Sequence, residues 1–341
     1  MRVAIIGYGL AGAVFHAPLV AATDGLEVAT IATSNPERQE RARHEHPGAR
    51  IVADPEAAFD ADLVVIATPN HTHAPLARKA SEAGVAAVVD KPLAPTAAEA
   101  EELVQAGGRL TVFQNRRWDS DQLTLRRLLD QGELGEVLRY ESRFERWRPE
   151  PGAESAWRES RTPAEGGGVL LDLGSHLVDE ALRLLGPAES VYAEIDARRG
   201  GRADDDAFVA IGHESGAYSH LRTSAVTAAP GPRLRVLGTR AALVVEHLDR
   251  QEADLRAGRR PGRDEPWGAA PPVRLVRGEE DSQIPSERGD WPAFYRSVAG
   301  WLSGSDEAPP VDPHEALRVL EVLEAARVSA ATGSISALSG M

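Results

Sequence analysis

The sequence predicts two domains. Residues 1–118 read as an α/β domain with a doubly wound parallel sheet, and residues 119–341 as an α+β domain with a mostly antiparallel open sheet. Three observations carry this. An apolar run, Arg2–Ile6, breaks into Gly7-Tyr8-Gly9-Leu10-Ala11-Gly12. Strand and helix signals alternate through the first third of the chain. After about Trp118, strand-like runs follow one another with few helices between them.

Arg2–Ile6 is short, apolar and β-rich, as a buried parallel strand is. In the turn that follows, Gly7 permits the tight bend and Gly9 lets backbone approach a pyrophosphate. Gly12 lets the next helix sit close to the strand. That helix, about Ala11–Ala22 with apolar Val14, Phe15, Leu19 and Val20, offers unpaired N–H groups to phosphates at its start. A strand before and a helix after turn a weak G-x-G-x-x-G pattern into the Rossmann signature of dinucleotide binding. Strands are expected next at Leu26–Ala32, Leu63–Ala67, Val85–Val89 and Leu110–Phe113. Helices at Glu37–Glu45, Pro75–Gly84 and Ala97–Gly107 separate them. Right-handed crossovers place every strand's C-terminal end on one edge, where ligands bind.

In the second domain, a helix at Ser120–Gln131 leads to an alternating strand, Val137–Trp147, and a helix follows at Leu170–Leu185. Strands are expected at Val191–Ala197, Ala207–Ile211, Tyr218–Thr223, Leu234–Leu237 and Ala242–Glu246. Arg250 to Gly289, charged and rich in Pro and Gly, reads mainly as loop. Glu315–Ala331 is an amphipathic closing helix.

Composition narrows the function. A net charge of −14 argues against a general nucleic-acid binder, which needs a basic face. With no cysteine there is no disulfide, thiolate metal site or thiol nucleophile. No apolar stretch approaches a membrane span. The N-terminal apolar run belongs to the first strand, so a cleaved signal is not expected and the cytoplasm is the default location.

Three segments carry chemistry. Thr68-Pro69-Asn70-His71-Thr72-His73 and Asp90-Lys91-Pro92 each follow a strand at the ligand edge, where a plain turn or a surface lysine is the bland alternative. Gly166-Gly167-Gly168 precedes a helix on which Asp172 and His176, four apart, share a face, with Asp179 three further on. A metal is not expected, because no second ligand cluster completes a shell.

Taken together, these segments resemble the Gfo/Idh/MocA oxidoreductases over essentially the whole length. Val14-Phe-His-Ala-Pro18, Asn115-Arg116-Arg117-Trp118-Asp119 and Trp157-Arg158 are similar to the subgroup of NADP-dependent scyllo-inositol dehydrogenases. The family's lysine usually follows Glu; here Asp90 takes that place. The resemblance implies a catalytic group of Lys91, Asp172 and His176. It also implies a polyol, cyclitol or sugar as substrate, and a homodimer or homotetramer formed through the C-terminal sheet. Hydride leaves a carbinol carbon while the hydroxyl proton goes to a base. A lysine held neutral at pH 7 costs roughly 4–5 kcal/mol, whereas histidine needs little adjustment. His176 is therefore expected as proton acceptor, Lys91 as donor to the reacting oxygen and Asp172 as their orienter; the reverse of His176 and Lys91 stays open.

In NAD enzymes an acid at the end of the second strand holds the adenosine ribose. Here Glu27 begins that strand, and Thr33-Ser34-Asn35-Pro36 ends it without a carboxylate. Ser34 and Arg38 suit a 2′-phosphate, so NADP(H) is favoured over NAD(H). The expected cofactor wall comprises Gly7, Tyr8, Gly9, Leu10, Ala11, Gly12, Ser34, Arg38, Thr68, Pro69, Asn70, His73, Lys91 and Pro92. Arg116 and Trp118 are expected to face the cleft, where Trp118 either stacks on nicotinamide or plugs the domain junction, and Trp157 and Arg158 are expected to close over the cofactor or to have no such role. Two competing classes are a glycosidase that oxidises its sugar transiently and a non-catalytic nucleotide sensor. A pure binder has no need of Lys91, Asp172 and His176 together.

Overall fold

The structure is a computed structural model that describes residues 1–150, 161–306 and 308–338. Six strands, β1 (Arg2–Ile6), β2 (Glu27–Ala32), β3 (Arg50–Val52), β4 (Leu63–Ile66), β5 (Ala86–Asp90) and β6 (Leu110–Phe113), form one parallel sheet. Their order is β3-β2-β1-β4-β5-β6. Chain order reverses across β1 and β4, so the crevice for a ligand opens at their C-terminal ends. Val3–Ile6, Leu63–Ile66 and Ala86–Val89 are buried because both faces are covered. The covering helices include α1 (Ala17–Ala21), α2 (Pro36–Glu45), α3 (His73–Glu82) and α4 (Ala97–Gln105).

Two features differ from the sequence expectation. Strand β3 was not foreseen: Arg50-Ile51-Val52 is three residues long, and only its pairing with Thr30–Ala32 of β2 defines it. The first helix is not uniform. Ala11–His16 is π-wound before α1, and Ala17 N–H donates to Gly12 O. Pro18 accounts for the wider turn, since its ring would clash with the Val14 carbonyl in a continuous α-helix.

The second sheet has nine strands: β7 (Val137–Glu145), β8 (Ala188–Asp196), β9 (Asp206–His213), β10 (Tyr218–Ser224), β11 (Leu234–Gly238), β12 (Ala242–Val245), β13 (Val273–Arg277), β14 (Glu280–Ile284) and β15 (Ser336–Ala337). Their order is β14-β13-β12-β11-β7-β10-β9-β8-β15, antiparallel except for β7 beside β10. Among the described residues, the helices of this half are α5 (Ser120–Asp130), α6 (Ser175–Leu185), α7 (Gln251–Arg256), α8 (Pro292–Ser303) and α9 (Pro313–Thr332). Arg250–Gly289 is loop over most of its length, as expected, but it also holds α7, β13 and β14, which its composition does not announce. Val273-Arg-Leu-Val-Arg alternates as a strand does, although Pro, Gly and charge surround it.

One sheet face buries Val191, Val209, Ile211 and Leu221. By register the other presents Tyr192, Phe208, Tyr218, His220 and Arg222. The C-terminal helices return to the first sheet. Phe294 and Tyr295 of α8 pack on Phe113, Thr111 Oγ1 donates to Val311 O at 2.9 Å, and Glu324 of α9 accepts from Ala97 N at 2.7 Å. This packing ties β6 and the start of α4 to the C-terminal helices.

Candidate active site

The turn after β1 is built by close approach. Gly7 has φ +93°, and a Cβ on it would lie 2.4 Å from Ala67 O; one on Gly12 would lie 1.9 Å from Gly7 O. Helix, turn and the end of β4 are therefore in backbone contact, and the turn lines a groove of about 730 Å³. Gly9, Leu10, Ala11, Ser34, Arg38, Thr68, Pro69, Asn70, Asp90, Lys91 and Asp172 are among its lining residues. Arg38 Nη1 stands 3.6 Å from where a Gly9 Cβ would be. Its guanidinium has no hydrogen bond or ion pair among the described residues. The end of β2 brings no carboxylate to this wall. A glycine-lined turn at the end of β1 fits the pyrophosphate of a dinucleotide.

The two loops beyond β4 and β5 are tied to each other and to the second half. Thr68 Oγ1 and Thr72 Oγ1 share a hydrogen bond at 2.6 Å. Asn70 Nδ2 donates to Gly166 O at 3.2 Å, across to the segment that carries Asp172. Asp90 Oδ1 accepts from Lys91 N at 2.9 Å. Burial opposes ionisation of Asp90, but His16, Lys91 and His73 outweigh it and hold its carboxyl below the usual range.

Leu170–Gly174, which carries Asp172, is π-wound ahead of α6. Asp204 Oδ2 holds its start by accepting from Leu170 N at 2.7 Å. Lys91 Nζ donates to Asp172 O at 2.6 Å and to Asp172 Oδ1 at 2.7 Å. Both side chains are largely withdrawn from solvent, at 15% and 23% exposure. An ammonium has three N–H groups, so the third remains for a ligand oxygen.

His176 lies behind this pair, 5% exposed. Its Nδ1 faces Gln114 Oε1 at 3.2 Å, so Nδ1 donates and Nε2 keeps its lone pair. Phe144 packs edge-on at 6.3 Å between ring centroids. Arg233 and Arg116 stand over the Phe144 ring at 4.3 and 5.0 Å. Burial first, then the charges of Lys91 and Arg116, push the His176 pKa well below its usual value, against the pull of Asp172. The imidazole is neutral at neutral pH.

Lys91, Asp172 and His176 are thus brought together, as are the glycine turn, Ser34, Arg38 and Thr68–Asn70. Six expected cofactor residues stand away from the groove wall: Tyr8, Gly12, His73, Pro92, Arg116 and Trp118. Gly12 is packed on the Gly7 carbonyl, and the Pro92 carbonyl is taken by His73. Tyr8 is buried with its hydroxyl on Glu45 Oε2 at 2.6 Å. His73 is 1% exposed and bridges Pro92 O at 2.7 Å and Thr68 O at 2.9 Å, joining the two ligand loops from below. Arg116 is buried among Asp119, Glu252 and Trp291. Trp118 packs on Phe294, and its carbonyl accepts from Asp290 N. Tyr8, His73, Arg116 and Trp118 each have a strong structural partner that their position in the sequence does not reveal. Trp157 and Arg158 lie outside the described residues. Asp179 pairs with Arg117 at 2.6 Å. No group of three or more His, Asp or Glu suited to a metal occurs among the described residues. Sequence reasoning missed Gln114, although it directly follows Phe113, the last residue of β6, on the same edge as Thr68 and Lys91.

Comparison with known proteins identifies the family. Residues 1–112 match the oxidoreductase family with an NAD-binding Rossmann fold, and residues 122–244 match the GFO/IDH/MocA C-terminal domain. The chain is 39% identical over 336 residues to the uncharacterized oxidoreductase YdgJ of Escherichia coli, covering 95% of this chain and 94% of that protein. It is 34% identical over 347 residues to scyllo-inositol 2-dehydrogenase (NADP(+)) IolW of Bacillus subtilis, covering 96% and 93%. A crystal structure of a candidate oxidoreductase from Klebsiella pneumoniae superposes with a TM-score of 0.89 at 38% identity, covering 100% of this chain and 96% of that one. With both halves matched and the ligand edge built as described, the chain belongs to the Gfo/Idh/MocA family of oxidoreductases.

Proposed function

We propose that this oxidoreductase interconverts a secondary alcohol of a polyol, cyclitol or sugar with its ketone, using NADP(H) in preference to NAD(H). The observation that carries the reading is Lys91 Nζ, held by two oxygens of Asp172 at the inner end of the groove with one donor to spare. The relative IolW, named as an NADP-dependent inositol dehydrogenase, supports the substrate class and the cofactor.

The cofactor, when bound, supplies the hydride acceptor or donor. Gly7–Gly12 would hold its pyrophosphate, and Ser34 with Arg38 would hold the 2′-phosphate. Lys91 donates its remaining N–H to the reacting oxygen and stabilises the charge that develops there. Asp172 fixes the lysine's direction. His176, neutral and with Nδ1–H committed to Gln114, offers Nε2 as the proton acceptor or as the next station for the proton. Lys91 is placed as a donor, with two oxygens of Asp172 already accepting from its Nζ.

We further propose that two copies associate through the sheet face carrying Tyr192, Phe208 and Tyr218, which light scattering tests: a monomer at micromolar concentration would contradict it. The function itself is tested by cofactor reduction against a panel of cyclitols and sugars, with NADP⁺ and NAD⁺ in parallel. Turnover with NADP⁺ is the expected result; none with either cofactor would overturn the reading.

A further inference from the structure

Strand β7 does not stop acting at Glu145. Arg146 N donates to Ser224 O at 2.8 Å and Thr227 N to Arg146 O at 3.1 Å, so the backbone stays extended through the bridge between Trp147 and Val226. Side chains alternate along that run. Phe144 points inward, with its ring against His176, and Glu145 points to the other face, where it accepts from Gly231 N. Arg146 therefore points inward one pleat beyond Phe144, beside the catalytic corner.

Its neighbours are already engaged. Arg116 is paired with Asp119 and Glu252, Arg117 with Asp179 and Glu315, and Arg233 with Glu180. Glu252 is held by Arg116 at 2.6 Å and by Arg256 at 3.0 Å. The guanidinium of Arg146 has no hydrogen bond or ion pair among the described residues. It lies close enough to Glu252 and Asp172 to feel both carboxylates, while burial pushes its pKa below the ordinary value. Its nitrogens are not among the buried unpartnered atoms, so a ligand can reach them and supply acceptors.

We propose that Arg146 is a substrate-specificity residue, donating through its planar fork to two neighbouring hydroxyl oxygens of the polyol away from the reacting carbon. This rests on the polyol reading above. The fork geometry matches two oxygens on adjacent carbons. Neutral hydroxyls suit the place better than a carboxylate, since Asp172 and Glu252 already bring negative charge to the same side.

The test is polyol binding to the NADPH complex, read by saturation-transfer difference NMR, alongside turnover with NADP⁺. Wild type, Arg146→Gln and Arg146→Lys are compared over cyclitols, neutral sugars and a sugar acid. Arg146→Gln should weaken polyol binding and raise KM roughly 10–100-fold, the range of hydrogen bonds to a charged group. Its kcat should change by no more than about 3-fold, NADPH affinity should hold, and Arg146→Lys should recover part of the loss. Unchanged polyol binding in Arg146→Gln overturns the proposal. So does an equal fall in NADPH affinity or melting temperature, which marks a structural role. A sugar acid bound more tightly than any neutral polyol, or no polyol bound by wild type, overturns the hydroxyl chemistry. Polyol bound by wild type without cofactor reduction sinks the dehydrogenase reading alone and leaves the binding comparison decisive for Arg146.

Discussion

The glycine turn and the lysine corner face one groove, yet they are built in opposite ways. The turn comes from one short segment, Gly7 to Gly12, and its shape follows from backbone contacts, with Ala67 O and within itself, at distances that leave no room for a Cβ on Gly7 or Gly12. The corner joins Lys91 after β5, Gln114 after β6, Phe144 on β7 and Asp172 with His176 at the start of α6. No two of these elements are consecutive parts of one motif. Binding is thus encoded locally and chemistry by long-range packing, so substitutions in the two regions should separate affinity from turnover.

The largest expected effect is in the corner. Lys91→Ala should lower kcat roughly 10³-fold, within the usual range for loss of a positioned acid–base or electrostatic group, while NADPH affinity, read by fluorescence titration, stays within a few-fold. Loss of both together would erase the distinction between the regions. In the turn the sign reverses. Gly12→Ala sets a Cβ against the Gly7 carbonyl and should weaken NADPH at least about 100-fold, near 2.7 kcal/mol, and lower the melting temperature as well. A variant with wild-type affinity would show that the helix can shift without cost.

His176→Asn sharpens the corner further, with an expected fall in kcat of roughly 100-fold. The pH profile carries the sign. His176 is neutral well below its usual pKa because burial and Lys91 disfavour the imidazolium. Wild-type oxidation should therefore stay level as pH falls through 6.5 and drop only at more acidic pH, when His176 takes up a proton. The asparagine variant should lose that acid limb. If it keeps both the limb and near-normal turnover, another group is the base. The smallest effect lies at the outer end of the turn: Arg38→Ala should reduce the NADPH-to-NADH affinity ratio about 10-fold, the worth of one charge-assisted hydrogen bond. An unchanged ratio removes the argument for NADP(H).

This contrast also explains what could be read in the sequence. The glycine spacing, the apolar runs of β1, β4, β5 and β6, and the three chemical segments are local patterns, and the structure gathers them on one edge. Gln114 and Arg146 are single residues without a motif; their meaning comes from the end of β6 and the pleat of β7. Tyr8, His73 and Arg116 stand within or beside recognisable segments, but their partners Glu45, Pro92 and Glu252 come from elsewhere in the chain. Proximity in sequence to a cofactor turn says little about where a long side chain points. Strand β3 and the strands within Arg250–Gly289 were hidden for a related reason: a short or heavily charged strand is defined by its neighbour more than by its own composition.

The central claim is net hydride transfer from a polyol carbon to NADP⁺, and isotope transfer tests it most directly. A turned-over cyclitol or sugar carrying deuterium at the reacting carbon is incubated with the enzyme and NADP⁺, and both cofactor and product are analysed by mass spectrometry. The account predicts deuterium in the reduced cofactor, in step with ketone formed. Deuterium returned to the sugar, with no reduced cofactor accumulating, would contradict it and point to a transient-oxidation cycle instead.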